Sequence, residues 1–169
     1  MTEVDQRPWL DHVGIAVHDM RRAAELVESA LGGEFQRGGD NHHYGFRTAQ
    51  FHLRGETKIE LLQPVDHASD LQRFLDERGP GVHHLTFLSE DVVATEARLT
   101  ACGYRTTGTK LDDPHWRETY LGPSQGLGTV LQLADSDLDW HTPWTGVGLE
   151  DVLGGLMTWD GATLRSSRA

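Results

Sequence analysis

The chain has 169 residues, of which 37% are hydrophobic and 24% charged, values typical of a soluble globular protein. Its formal net charge of −11 disfavours a nucleic-acid partner, because a phosphate backbone would be repelled. No apolar run is long enough to span a membrane, and residues 1–10 lack the apolar core of a signal peptide. We therefore expect a cytoplasmic protein that binds neither nucleic acid nor membranes.

The chain has one cysteine, Cys102, which cannot form an intramolecular disulfide. Its presence as a free thiol favours a reducing compartment. Cys102 lies at the end of a helical pattern, where we expect a buried and unreactive side chain.

Two segments of the chain share one pattern. The segment DHVGIAVHDMRRAAELVESALGGEF starts at Asp11, and HHLTFLSEDVVATEARLTACGYR starts at His83. Each contains a histidine, a strand-like apolar run, an acidic residue seven positions after that histidine, and an amphipathic helix that ends at glycine. His12 and His84 are 84 − 12 = 72 residues apart, and the same offset carries three later residues onto partners: His43 onto His115, Tyr44 onto Trp116, and Glu60 onto Gln132.

This repeat predicts two copies of a unit made of one strand, one helix and three strands. We place the modules at about residues 8–66 and 80–135, within a single domain over residues 1–135. The expected fold class is α+β, in which paired βαβββ modules form a curved mixed sheet around a cavity, followed by a C-terminal helical extension.

Strand alternation distinguishes the adjacent histidines of the second module. Side chains two residues apart share a face of a strand, so His84 lies opposite Leu85 and Phe87. His12, Glu60 and Gln132 likewise lie opposite the apolar residues of their own strands. If helices cover the apolar faces, these four polar side chains project from the uncovered faces. His83 is then a half-buried residue on the opposite face.

A histidine that opens a strand, or a single glutamate within one, is usually a surface or hydrogen-bonded core residue. Four polar residues at repeat-equivalent positions with the same parity are harder to explain in that way. Two imidazole nitrogens, one carboxylate oxygen and one amide oxygen form a donor set for a divalent metal. We predict that His12, Glu60, His84 and Gln132 bind this ion, with zinc, nickel, cobalt, manganese and iron all compatible.

The motifs DHVGIAVHDM, IELLQP, GPGVHHLTF and GTVLQLA resemble those of the vicinal oxygen chelate superfamily, and within it the methylmalonyl-CoA epimerase and glyoxalase I branch. The resemblance covers residues 10–135. It implies paired βαβββ modules around a divalent metal, with ligands at His12, Glu60, His84 and Gln132. It also implies that the metal chelates vicinal oxygens of a substrate and stabilises an enolate or similar anion.

Two positions depart from the epimerase pattern. Gln132 stands where the epimerases carry a glutamate that is both ligand and base, and an amide cannot take up a proton near neutral pH. The second catalytic glutamate is most nearly matched by His43, although His42 or Tyr44 could hold that place. Imidazole has an ordinary pKa of about 6.5, so His43 is a competent general base.

A further carboxylate, Glu118, shares strand parity with Trp116 and Tyr120 and is a second candidate for catalysis, while Glu60 is both a ligand and a catalytic candidate. His115 has the opposite parity, so a regular strand cannot present both His115 and Glu118 to the same site.

Residues 136–169 have no counterpart in the repeat and form a Trp-rich extension. An apolar stripe at helical spacing predicts a short helix that either packs on its own domain, closes over the cavity or contacts a second subunit. We expect a homodimer, and a loose terminus after Gly161. The tryptophans are Trp140, Trp144 and Trp159, and the stripe consists of Leu149, Val152, Leu153 and Leu156.

The sequence thus predicts a metal-dependent isomerase, epimerase or lyase acting on a small carbonyl or carboxylate substrate. One alternative is a non-haem Fe(II) dioxygenase, since two histidines and one carboxylate form its ligand set. Another is a metal-free protein of the bleomycin-resistance kind that binds a small molecule.

Overall fold

The structure, a computed structural model, describes residues 7–55 and 57–167. Its helices are α1 (Met20–Ser29), α2 (Asp70–Arg78), α3 (Val92–Ala101) and α4 (Leu149–Leu153). Its strands are β1 (Trp9–Ala16), β2 (Glu34–Asn41), β3 (Phe46–His52), β4 (Lys58–Pro64), β5 (Gly81–Leu88), β6 (Thr107–Lys110), β7 (Arg117–Leu121), β8 (Val130–Asp135), β9 (Met157–Asp160) and β10 (Thr163–Ser166).

The internal repeat seen in the sequence is present in the order of the elements. Adding 72 to the bounds of β1 (9 + 72 = 81, 16 + 72 = 88) gives the bounds of β5. The same sum carries α1 onto α3 (20 + 72 = 92, 29 + 72 = 101). The strands β2, β3 and β4 follow α1, as β6, β7 and β8 follow α3. The predicted α+β fold with paired βαβββ modules is therefore confirmed.

The acidic residue seven positions after each histidine is the N-cap of the following helix. Asp19 accepts a hydrogen bond from the backbone N–H of Arg22, and Asp91 accepts from Val93 and Ala94. A side-chain carboxylate at this position satisfies backbone donors that have no partner within the helix. Gly103 follows α3 with a φ of 86°, a conformation that glycine adopts without a steric penalty. Cys102, the C-cap of α3, is exposed, so its expected burial is wrong.

The described chain divides into two compact units. The first contains residues 7–12 and 84–138, and the second contains residues 13–55, 57–83 and 139–167. In the first unit, β5 pairs in parallel with β8, which pairs antiparallel with β7, and β7 pairs antiparallel with β6. Thr86 thereby stands directly opposite Gln132. Helix α3 packs against β7 and β8.

In the second unit, β2, β3 and β4 form an antiparallel set, and α1 and α2 pack against β4. An apolar cluster from α1, the strands and the C-terminal extension fills this core, because each element presents one apolar face to the others. The buried members are Met20, Ala24, Val27, Ala49, Phe51, Leu61, Val152 and Met157.

The C-terminal extension belongs to the second unit and contributes to its core. Helix α4 spans only the first part of the predicted stripe, since it ends at Leu153 and Leu156 follows two glycines. After α4, β9 pairs in parallel with β2 and antiparallel with β10. The expectation of a loose terminus after Gly161 is wrong for Thr163–Ser166, which form β10.

A buried cation joins the extension to β2. Arg37 is fully buried, and its guanidinium carbon lies 4.8 Å from the ring centroid of Trp140 and 5.4 Å from that of Trp144. Its Nη2 atom donates to the carbonyl oxygen of Thr142 at 2.8 Å. Cation–π contact and carbonyl acceptors together offset the cost of removing the charge from water.

None of the helices in residues 7–55 and 57–167 has the length and apolar character that crossing a lipid bilayer requires.

The environment of Trp140 generates a stability prediction. Its side chain is 8% exposed and contacts Arg37 and Trp159, so Trp140→Ala should lower the free energy of unfolding by about 3 kcal/mol, the loss typical of a buried tryptophan. Chemical denaturation measures this. Trp9→Ala, at a site 45% exposed, is the control and should cost about 0.5 kcal/mol or less. Equal losses in both variants would contradict a structural role for the extension.

Candidate functional site

A pair of buried histidines lies in the first unit. His12 on β1 is 3% exposed and His84 on β5 is 8% exposed. Their Nε2 atoms are 3.3 Å apart, and the rings meet edge to face at an interplanar angle of 80°. Two imidazole nitrogens bound to one tetrahedral cation at about 2.05 Å are separated by about 3.3 Å. The observed separation therefore fits two ligands of one divalent metal.

Asp11 determines which nitrogen of His12 can bind a cation. Its buried carboxylate oxygen Oδ2 lies 2.7 Å from Nδ1 of His12. An ionised carboxylate only accepts hydrogen bonds, so Nδ1 carries the hydrogen and Nε2 keeps its lone pair on the side of His84. Metal-binding histidines commonly donate their second ring N–H to a carboxylate in this way. Asp11 was not predicted from the sequence.

Thr86 lies between His12 and Gln132 and contacts both side chains. The hydroxyl oxygen of Thr86, which is fully buried, lies 2.9 Å from Nε2 of His12 and donates to Oε1 of Gln132 at 2.7 Å. The amide nitrogen of Gln132 in turn donates to Oε2 of Glu118 at 2.7 Å. Three sequence-predicted residues, His12, His84 and Gln132, are thus brought together, and Thr86 links two of them.

Glu118 on β7 is 6% exposed and belongs to the same group of side chains. Its Oε2 atom also accepts a hydrogen bond from the indole N–H of Trp116 at 2.7 Å. The hydroxyl of Tyr120 lies 3.4 Å from the amide nitrogen of Gln132. Trp116, Glu118 and Tyr120 therefore all contact this group, as their shared strand parity predicts.

His115 lies outside this group. It is exposed, precedes β7, and its Nδ1 is 2.8 Å from Oδ1 of Asp137. This hydrogen bond, followed by the negative charge of Asp137, raises the pKa of His115 above its ordinary value.

Glu60 and Gln50 form a buried pair in the second unit. Glu60 on β4 is 8% exposed and Gln50, directly opposite on β3, is 6% exposed. The amide nitrogen of Gln50 donates to Oε1 of Glu60 at 3.0 Å. The carboxylate of Glu60 is therefore fixed by a neighbouring strand, although sequence reasoning assigned no role to Gln50.

His43 lies in the turn between β2 and β3 and is exposed, with its ring against Tyr44 at a centroid separation of 4.8 Å. His83 is half-buried and packs edge to face on Phe74 at 5.0 Å, the orientation expected from its parity.

Comparison with known proteins places the chain in a family. Residues 11–120 match the model of the Glyoxalase/Bleomycin resistance protein/Dioxygenase superfamily. The chain is 38% identical over 129 residues to ethylmalonyl-CoA/methylmalonyl-CoA epimerase of Cereibacter sphaeroides, a match that covers 73% of this chain and 95% of that protein.

Solved structures agree with this match. The crystal structure of methylmalonyl-CoA epimerase from Mycobacterium tuberculosis is 30% identical with a TM-score of 0.71, covering 82% of this chain and 94% of that one. A single-residue variant of Streptomyces coelicolor methylmalonyl-CoA epimerase in complex with 2-nitronate-propionyl-CoA is 29% identical with a TM-score of 0.68, covering 76% and 94%. These relatives support an enzyme of the isomerase or epimerase type. The chain belongs to the Glyoxalase/Bleomycin resistance protein/Dioxygenase superfamily, which is the vicinal oxygen chelate family, and to the branch that contains the methylmalonyl-CoA epimerases.

Proposed function

We propose that the protein is a metal-dependent epimerase that exchanges the hydrogen on the α-carbon of an acyl-CoA thioester, with a 2-alkylmalonyl thioester as the substrate class. The observation that carries the proposal is the 3.3 Å separation of the His12 and His84 Nε2 atoms, with Nδ1 of His12 held by Asp11. The relatives named for ethylmalonyl-CoA and methylmalonyl-CoA supply the substrate class.

The proposed ligands are His12 and His84 together with Glu60 and Gln132, the oxygen donors at equivalent positions of the two modules. The nitrogen and oxygen donors of this set suit zinc, nickel, cobalt, manganese or iron. Such an ion, when bound, acts as a Lewis acid for the negative charge that develops on a substrate oxygen.

The remaining task of the chain is to move a proton. Epimerisation removes the hydrogen from one face of the α-carbon and returns a hydrogen to the other face. Gln132 cannot carry this proton, because an amide is not basic near neutral pH. The proposed carriers are Glu60, Glu118 and His43, of which the two glutamates are buried and His43 is exposed.

Metal analysis distinguishes this proposal from the two alternatives. Bound iron with oxygen consumption would indicate the dioxygenase, whose ligand set also has two histidines and a carboxylate. A chain that binds a small molecule without any metal would indicate the resistance type. Homodimer formation and a cytoplasmic location stay predictions from the sequence, and light scattering of the purified chain tests the first.

The contact between Asp11 and His12 generates a prediction for metal affinity. Asp11→Asn keeps the shape but removes the charge that holds the Nδ1 hydrogen, so the Kd for Zn²⁺ should rise about tenfold, a loss typical of partners that orient a ligand. Competition with a chelating dye measures the Kd.

Asp137→Asn is the matched control, because the exposed carboxylate of Asp137 contacts Nδ1 of His115 as that of Asp11 contacts Nδ1 of His12. It should leave the Kd unchanged and lower the pKa of His115 towards its ordinary value, which an NMR titration detects. Unchanged affinity in Asp11→Asn would remove Asp11 from the ligand-orienting role.

Proton transfer is tested by the incorporation of deuterium at the α-carbon of methylmalonyl-CoA in D₂O, followed by mass spectrometry. Loss of a general base typically slows a reaction by about 10²–10⁴-fold, so His43→Ala should keep the metal and lose exchange by this factor. His67→Ala, at another exposed histidine of the same unit, is the control and should retain exchange. Retained exchange in His43→Ala would exclude His43 and leave Glu60 and Glu118, each tested by substitution with glutamine.

A further inference from the structure

Each module contains a glutamine that donates a hydrogen bond to a glutamate on the neighbouring strand, but the two pairs have opposite orders. In the first module the carboxylate, Glu60, lies on β4 and the amide, Gln50, on β3. In the second module the amide, Gln132, lies on β8 and the carboxylate, Glu118, on β7. The last strand of the module therefore presents a carboxylate in one case and an amide in the other.

This difference matters because an amide has two unlike ends. A carboxylate presents oxygen whichever way it rotates, whereas an amide presents either an oxygen or an NH₂ group, and only the oxygen can bind a cation. A glutamine in place of a glutamate ligand therefore needs a neighbour that selects its orientation.

The contacts of Gln132 specify that orientation at both ends. Oε2 of Glu118 accepts from the NH₂ end at 2.7 Å, and the same oxygen accepts the indole N–H of Trp116 at 2.7 Å. The Oε1 end accepts from the hydroxyl of Thr86, whose oxygen lies 2.9 Å from Nε2 of His12. With the NH₂ end held at Glu118, the carbonyl oxygen of Gln132 faces the side of the histidines.

We propose that Glu118 is a positioning residue that orients the amide of Gln132, so that its oxygen rather than its NH₂ group is available as a metal ligand. This inference rests on the proposed function, since it assumes that the histidine pair binds a cation. It assigns Glu118 a role that acts through Gln132 and that does not depend on whether Glu118 also transfers a proton.

A double-mutant cycle on the full-length chain tests this role with Co²⁺, whose visible spectrum reports the ligands. The variants are Glu118→Leu, Gln132→Ala and the combination of both. Glu118→Leu should raise the Kd for Co²⁺ about tenfold. The combined variant should bind no more weakly than Gln132→Ala alone, because Glu118 has nothing to orient once the amide is absent.

Two further variants separate orientation from charge and from folding. Glu118→Gln removes the charge but keeps an acceptor oxygen, so its Kd should stay within about threefold of the wild type. Glu96→Leu is the matched control, because Glu96 is a carboxylate of the same unit that accepts hydrogen bonds from the hydroxyls of Thr106, Thr109 and Thr119. It should leave the Kd unchanged.

If Glu118→Leu does not fold, as judged by circular dichroism, the exchanged pair Glu118→Gln with Gln132→Glu carries the test. In this variant, as in the pair of Gln50 and Glu60, the last strand carries the glutamate and the preceding strand the glutamine. A carboxylate presents oxygen in either orientation, so the variant should bind Co²⁺ at least as tightly as the wild type.

The outcomes separate the two proposals. Three results would overturn the positioning role while leaving the metal site intact. They are wild-type affinity in Glu118→Leu, additive losses in the combined variant, and an exchanged pair that binds Co²⁺ at least tenfold more weakly than the wild type. A wild-type chain that binds no Co²⁺ would overturn both proposals.

Discussion

The hydrogen bond between Asp11 and His12 is the contact on which the chemistry of the first unit depends. An uncharged imidazole can carry its hydrogen on either nitrogen, and only the nitrogen without it can bind a cation. The 2.7 Å contact to Asp11 assigns the hydrogen to Nδ1, so Nε2 presents its lone pair towards His84. Burying a carboxylate is unfavourable unless it is paired, and at Asp11 this cost is offset by a contact that also prepares His12 as a ligand.

The two modules show how one backbone pattern carries different chemistry. An identical offset relates β1 to β5 and α1 to α3, yet the last strand carries Glu60 in the first module and Gln132 in the second, each hydrogen-bonded to a side chain of the preceding strand. Read from the sequence alone, Gln132 is a missing carboxylate. In the structure the carboxylate is present one strand away, at Glu118, and is hydrogen-bonded to Gln132. A residue that departs from a family pattern is therefore best judged together with its neighbour across the strand pair.

Much of the site could be predicted because strand alternation and the repeat are local properties. His12, His84, Gln132 and the shared parity of Trp116, Glu118 and Tyr120 follow from a period of two and an offset of 72. Asp11 could not be found in this way, since alternation assigns neighbours to opposite faces, whereas the Asp11 carboxylate reaches its neighbour's ring. The pairing of β9 with β2 was missed because it joins segments far apart in the chain. The turn at residues 42–45 was missed although its signals are local, since Asn41 accepts from the backbone N–H of Tyr44 and Gly45 has a φ of 72°.

A continuous polar chain within a unit's interior argues for function more strongly than any one of its members. From Asp11 through His12, Thr86 and Gln132 to Glu118, each link is 2.9 Å or shorter. Apolar side chains of similar volume at these positions would avoid the cost of desolvation and often yield a core of equal or greater stability. Carboxylates that only accept stand at both ends, and Thr86 donates its single hydroxyl hydrogen to Gln132, so Nε2 of His12 receives no hydrogen from Thr86 and keeps its lone pair. Such an arrangement fixes the donor and acceptor state of the residues between them, which is what a ligand site requires and a hydrophobic core does not.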